Sequence, residues 1–281
     1  MRVFIVGRGR GALASLLVSA SLHVAGCSSP DIAEWRSSSP PARPPADRGD
    51  AAADDRRVDD LRKKLDLAAS RDLALVLAAE RPAESAVLVR ASRAESDQVF
   101  LLPDTDKEKR GLAALSSLAY AEDAAKLPGG DGAAAQAQLA WALGTTTHLQ
   151  SMFSRSGHAK RTLETIDRAL ALEPDNVTAL ATLAVLRLRL ATLPWIARVM
   201  AWGAPEGSID EAIEKATRCV ALEPSVEHRL LLAKALTAAE KREEAAIVLH
   251  ATAAAPDAYP RDGELRPEAL RLLDSLGSAV K

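Results

Sequence analysis

The chain contains two near-copies of one pattern, ETIDRALALEPD at residues 164–175 and EAIEKATRCVALEPS at residues 211–225. Both copies end in Leu-Glu-Pro, and proline cannot continue the interior of a helix. The recurrence predicts helical hairpins that end at the same point of each repeat. Such hairpins display a surface, and nothing else in the sequence resembles an active site. We therefore expect a binding protein.

Prolines that would close the second helix of each pair continue this series along the chain, at positions 82, 128, 174, 224 and 256. Their spacings are 46, 46, 50 and 32 residues. Repetition at this length is typical of a solenoid, in which each helical pair packs on its neighbours. Aromatic residues make up only 3% of the chain and hydrophobic residues 48%, which favours close-packed helices over strands. The predicted fold class is all-α.

Spacings of 46 admit HEAT-type pairs as well as tetratricopeptide repeats, so the residues inside the pairs decide between them. The positions 12, 8 and 5 residues before Pro174 and Pro224 are Thr162, Ile166 and Ala169, and Ala212, Ala216 and Cys219. These resemble the tetratricopeptide pattern, with a small residue at the first and third of the three positions. The resemblance implies an α-solenoid of tetratricopeptide-like hairpins over residues 54–281.

The second half of this array is similar to the regulator of microtubule dynamics family. The matching motifs are Leu193-Pro194-Trp195, Gly203-Ala204-Pro205, Glu211-Ala212-Ile213 and Glu268-Ala269-Leu270-Arg271-Leu272-Leu273. The resemblance covers about residues 60–276. It implies the fold of the protein but not its biological function.

Local signals predict where the helices begin and end. The expected helices start near residue 57, at Ser70 as an N-cap, and then cover 83–99, 108–127 and 133–154. Gly157 is expected to separate the next helix from its predecessor. Asn176 is predicted to cap a helix, and Ser208 with Glu211 to form a capping box. Residues 264–276 are expected to form a helix that caps the last repeat.

The N-terminus resembles the signal of a bacterial lipoprotein. Residues 1–26 contain three arginines, an apolar run and no acidic residue, and the apolar run ends in Val24-Ala25-Gly26-Cys27. In that family the segment is removed and the cysteine is lipidated. Cys27 is therefore predicted to anchor the protein to a membrane. In the same family, a serine rather than an aspartate after the cysteine, here Ser28, implies the outer membrane, facing the periplasm, in a cell that has one.

The same segment also contains Gly7, Gly9 and Ala12 in a G-x-G-x-x-A pattern. A dinucleotide fold needs an acidic residue about 20 positions further on, inside a βαβ unit. Gly26-Cys27-Ser28-Ser29-Pro30 occupies that place, so we expect no nucleotide or other cofactor.

Residues 27–53 are predicted to form a disordered tether, because proline, serine and alanine dominate them. In polyproline form this tether would reach roughly 80 Å and let the helical body stand away from the membrane. Trp35 is predicted to be an unpacked residue of this linker.

Catalytic and metal-binding patterns are not recognisable. The five histidines show no paired metal spacing, and Cys219 falls on a packing face, where a small core thiol is expected. The formal charge of −2 gives no basic excess for nucleic acid. We expect neither an enzyme nor a nucleic-acid-binding protein, and no metal.

Tetratricopeptide proteins bind peptides on the concave surface lined by the first helix of each pair. By analogy, the predicted peptide-binding residues are Thr147, Ser151, Arg155, Thr178, Ala181, Arg189 and Lys234. The three cations would suit an acidic or C-terminal carboxylate group. The alternative is that all seven are ordinary surface residues. Trp195 and Trp202, in the insertion at 190–207, are the residues predicted to make binding specific.

Taken together, these signals predict a lipid-anchored envelope protein that binds a protein or peptide. The alternative is an accessory lipoprotein similar to the T component of tripartite periplasmic transporters. A trimer with a through-pore would favour that alternative, and a monomer with a blocked groove would count against it.

Overall fold

The computed structural model describes residues 34–35, 43, 49–149, 154–195 and 203–278. Within these residues the chain forms eleven α-helices and no strand. The helices are α1 (Ala51–Lys63), α2 (Leu67–Glu80), α3 (Ser85–Leu101), α4 (Lys107–Lys126), α5 (Ala133–Thr146), α6 (Arg155–Leu172), α7 (Val177–Ala191), α8 (Ile209–Leu222), α9 (Val226–Ala238), α10 (Arg242–Ala254) and α11 (Asp262–Ser278). None of these described helices combines the length and apolar character needed to cross a bilayer.

Each helix packs against the next one along the chain, and the first helices of successive pairs also touch. Thus α3 contacts α5, α5 contacts α7, and α7 contacts α9. This double set of neighbours defines a solenoid, because each pair packs mainly against the adjacent pairs. The predicted α-solenoid is confirmed. Helix α11 packs on α9 and α10, where its Leu265, Ala269 and Leu276 join their core, so the predicted C-terminal capping helix is present.

The six residues that suggested the repeat pattern all lie in the interior. Ile166 and Ala169 on α6 are fully buried, as are Ala216 and Cys219 on α8. Thr162 is buried too, and its hydroxyl donates to the carbonyl of His158 one turn earlier, so no polar atom of the side chain is left without a partner. Small residues therefore occur where the paired helices approach most closely.

Asn176 caps α7, because its side chain accepts a hydrogen bond from the backbone N–H of Ala179 at 3.1 Å. Ser208 caps α8 in the same way, accepting from the N–H of Glu211 at 3.1 Å. The reciprocal half of the predicted capping box is absent. Glu211 pairs instead with Arg187 at 2.7 Å, and the N–H of Ser208 donates to the carbonyl of Arg187. Arg187, from the preceding helix α7, thus takes the place of the contacts expected between Glu211 and Ser208.

Two predicted helix starts were wrong. Helix α2 begins at Leu67, because Leu65 takes a positive φ of 62° and Asp66 then caps the helix by accepting from the N–H of Ala69. Ser70 lies inside α2, where its hydroxyl donates to the carbonyl of Val58. Helix α1 begins at Ala51, three residues inside the predicted tether, because Asp50 caps it.

The predicted helix over 133–154 is shorter, since α5 ends at Thr146 and a 3₁₀ turn follows at Thr147–Leu149. The hydroxyls of Thr145, Thr146 and Thr147 all donate to carbonyls three or four residues earlier. Such back-bonding weakens the end of a helix. Gly157, the predicted separator, lies inside the first turn of α6.

The prediction that Trp35 is unpacked was also wrong. Its indole contacts the apolar cluster of Val99, Ala113 and Phe100, and its Nε1 donates to Glu95 at 2.9 Å. A hydrogen-bonded indole on an apolar surface is the usual arrangement of a packed tryptophan.

Candidate functional site

The inner face of the first two pairs is built from opposite charges on α1 and α3. Arg62 of α1 donates to Asp97 of α3 at 2.8 Å, and Arg90 of α3 donates to Asp59 of α1 at 3.1 Å. Arg90 also lies 3.3 Å from Asp55. These pairs join two helices that belong to different hairpins.

Arg93 is the exception on this face. Its closest ion-pair contact among the described residues is Asp59, at 3.9 Å, which is too long for a hydrogen bond. Desolvation lowers the pKa of Arg93, and the neighbouring charge of Arg62 lowers it further. The side chain is nevertheless 36% exposed, so it stands in a concavity that is surrounded by protein and open to water. A cation placed in this way can accept a carboxylate from outside the chain.

The opposite wall of this concavity comes from the last repeat. Burial works against the charge of Arg62, but the carboxylate of Asp97 and those of Glu223 and Glu227 outweigh it and raise the pKa of Arg62. Glu227 in turn lies 2.5 Å from Arg261, whose guanidinium covers the Phe100 ring of α3. The first and last repeats therefore face each other across the concavity.

The structure does not assemble the predicted peptide-binding residues into one groove. Thr147 lies in the 3₁₀ turn and donates to the carbonyl of Leu143. Ser151 lies outside the described residues. Arg155 is the first residue of α6, a second helix, because the first helix of that pair, α5, already ends at Thr146. Arg155 therefore does not line the first-helix surface.

In the next repeats, Ala181 is buried in the core and offers no surface to a peptide. Thr178 is half-buried, and Arg189 is exposed at the end of α7. Lys234 of α9 pairs with Glu268 of the capping helix at 2.7 Å. The binding role of the accessible residues stays a prediction.

The insertion between α7 and α8 carries Trp195, which is 72% exposed. Trp202 lies outside the described residues.

Sequence reasoning missed Arg62 and Arg93, although the signal was present. Asp55, Asp59 and Arg62 follow helical spacing on α1, and Arg90, Arg93 and Asp97 follow it on α3 with complementary charges. Such a pairing indicates two helices that lie side by side.

The sequence profile of the family described as "Regulator of microtubule dynamics protein 1-3" matches residues 55–277. The chain belongs to this family. The match covers the whole array from α2 to α10 and most of its flanking helices, α1 and α11. The resemblance noted from the sequence motifs is confirmed.

This family member is also similar to the crystal structure of a thermophilic TPR protein from Thermus thermophilus. The TM-score is 0.52 at 17% sequence identity, over 82% of this chain and 98% of that chain. At this identity the likeness establishes the helical repeat fold alone. No curated protein matches the sequence significantly.

Reactive chemistry is not evident in the part of the chain that the structure describes. No group of three or more His, Cys, Asp or Glu residues there is placed to hold a metal ion. Burial raises the pKa of the Cys219 thiol to about 12, as expected of an inert core thiol. Tetratricopeptide-like arrays are typically non-catalytic scaffolds, and the expectation that this member is not an enzyme stays a prediction.

Proposed function

We propose that this protein is an envelope lipoprotein that is anchored by Cys27 and binds a protein or peptide partner on the inner face of its solenoid. The observation that carries the proposal is Arg93. It is exposed in a concavity, and its closest ion-pair contact among the described residues is 3.9 Å away.

A partner for this surface carries an acidic group. A guanidinium in such a concavity binds a carboxylate through two parallel hydrogen bonds, and low surrounding polarity strengthens them. Glu223 on the facing wall favours a cation elsewhere on the same partner, whereas Glu227 already pairs with Arg261. We expect a segment that carries both signs of charge, with its carboxylate toward α3 and its cation toward α9. Such complementarity sets the direction of binding.

The anchoring part of the proposal is supported by the sequence Val24-Ala25-Gly26-Cys27, its preceding apolar run and its arginines. The proposed location is the outer membrane, facing the periplasm. No observation on the described residues favours the transport-accessory alternative.

The test is a crosslinking capture from envelope extract with the full lipidated chain. Arg93→Ala should abolish capture of the partner, and Arg93→Lys should weaken it, because lysine cannot form the bidentate contact. Arg218→Ala is the matched control, since Arg218 pairs with Asp175 on the solvated surface.

Unchanged capture by Arg93→Ala would show that the inner face is not the binding surface. If the triple variant Arg155→Ala, Arg189→Ala, Lys234→Ala loses capture and Arg93→Ala does not, the partner binds at the sequence-predicted residues. Mass spectrometry of the membrane-extracted protein tests the anchor separately, because an unmodified Cys27 would contradict lipidation.

A further inference from the structure

Trp35 attaches the predicted tether to the solenoid. Its Nε1 donates to Oε2 of Glu95 at 2.9 Å, and the guanidinium carbon of Arg71 lies 5.7 Å from the centre of its ring. Glu95 is only 1% exposed, so the hydrogen bond reaches into the interior between α2 and α3, where the first two pairs meet. The attachment combines apolar contact with a charge-assisted hydrogen bond.

Arg43 provides a second attachment eight residues later. Its Nε and Nη2 each donate to Glu80 at 3.0 Å, and Nη2 donates to Asp54 at 2.6 Å. These hydrogen bonds, to Glu80 first and then to Asp54, raise the pKa of Arg43. The tether is therefore held on the body at two points before α1 begins.

The length of chain between Cys27 and Trp35 limits how far the solenoid can lie from its anchor. Eight fully extended residues span at most about 26–29 Å, against the roughly 80 Å expected of an unattached tether. We infer that the solenoid is held against the membrane surface, with the side that carries Trp35 toward the lipid. This inference rests on the proposed lipidation of Cys27.

That side contains the turns that connect the first helix of each pair to the second, and we call it the turn edge. Its residues include Leu102, Leu149 and Leu193. Successive first helices touch. Because the second helix of each hairpin brings the chain back, the first helices run in the same direction and their C-terminal ends lie along one side of the solenoid. Trp35 packs at this edge, in the same apolar cluster as Leu102 and Leu149.

An independent observation points to the same side. Trp195 follows α7 on the turn edge, and it is the most exposed large apolar side chain described. Tryptophan favours the interface between lipid and water, because its ring is apolar and its N–H is polar. A membrane at the turn edge accounts for this exposure.

The orientation can be tested by comparing labels at the two ends of helix α4. Thr105 precedes α4 at the turn edge, and Asp131 follows it at the opposite side, and both are exposed. A donor dye on Thr105→Cys or Asp131→Cys reports transfer to an acceptor-labelled lipid headgroup in vesicles that hold the lipidated protein. Cys219 is fully buried and Cys27 would be acylated, so each variant has one accessible thiol.

Because the 20 residues of α4 span about 30 Å, transfer from Thr105→Cys should exceed transfer from Asp131→Cys by at least about threefold. Trp35→Ala should reduce the difference, because the tether is then held only at Arg43, and Trp35→Phe should keep most of it. Trp195→Ala should reduce the difference, and Ile247→Ala, which removes a similarly exposed side chain on α10, should not.

Equal transfer from the two labels in the vesicle-bound wild-type protein would overturn the inference while leaving lipidation intact. Failure of the wild-type protein to float with vesicles, with Cys27 unmodified by mass spectrometry, would overturn the proposed anchor and the orientation with it. If Trp35→Ala does not fold, the comparison of the two labels in the wild-type background still decides the orientation.

Discussion

The guanidinium carbon of Arg261 lies 3.4 Å from the centre of the Phe100 ring. Arg261 precedes the capping helix α11, and Phe100 is near the end of α3, so the contact joins two parts of the array that are far apart in sequence. Glu227 holds the same guanidinium at 2.5 Å. The curvature of the solenoid therefore brings the second pair into contact with the segment that precedes the capping helix.

We expect Arg261→Ala to open the array. Loss of the stacked cation and of its pairing with Glu227 should lower the free energy of unfolding by about 2–4 kcal/mol, because the guanidinium is largely buried. Urea denaturation measures this loss, and small-angle scattering should show a larger radius of gyration. In a double-mutant cycle with Phe100→Leu, which keeps an apolar side chain, purely additive effects would contradict a direct interaction.

Glu95→Ala should be among the most destabilising single substitutions. The substitution removes the buried carboxylate to which both Arg71 and the indole of Trp35 donate, which should cost about 3–5 kcal/mol in the free energy of unfolding. Glu95→Gln keeps an acceptor and should cost less. Glu108→Ala, on the exposed first turn of α4, is the matched control and should change stability by under about 0.5 kcal/mol. A similar cost for both alanine variants would argue against the Trp35 attachment.

The stability of the protein should fall with alkaline pH through Cys219. Burial raises the pKa of this thiol to about 12, whereas an exposed thiol in the unfolded chain ionises near about 8.5. Between these values the unfolded state loses a proton that the folded state keeps, so stability is full below the unfolded pKa. It should then decrease by up to about 1.4 kcal/mol per pH unit. Thermal unfolding of wild type and Cys219→Ala between pH 8 and 10.5 should show a shallower decline for the variant; parallel curves would contradict this origin.

Asp262 should hold the last repeat and its cap together. Its carboxylate accepts from the backbone N–H of Val226 at 2.7 Å, and from those of Ala258 and Tyr259 at 3.0 Å. Asp262→Ala leaves the buried N–H of Val226 without this acceptor and also removes the bonds to Ala258 and Tyr259, so it should lower the free energy of unfolding by about 2–4 kcal/mol. Hydrogen exchange should localise the loss to α9 and α11. Asp210→Ala, an exposed first-turn acid on α8, should cost no more than about 1 kcal/mol.

The sequence by itself determined the repeat architecture of this family member. Ile166, Ala169, Ala216 and Cys219 are the residues that identified the repeat, and all are buried where paired helices meet. Asn176 and Ser208 cap their helices as predicted, and the capping helix lies where its apolar spacing placed it. Such features follow from side chains that interact within one or two turns of helix, which a single sequence displays directly.

Only the tertiary structure showed which residues from distant parts of the sequence contact each other. Glu211 pairs with Arg187 and not with the backbone of its own helix start. Trp35, predicted to be unpacked, donates a hydrogen bond to Glu95, and Arg261 stacks on Phe100. Each contact depends on the curvature of the whole array, which accumulates from the packing angles of successive pairs. No local pattern encodes that sum, so the concave inner face became visible only once the helices were assembled, although the charges on α1 and α3 already indicated that these two helices lie side by side.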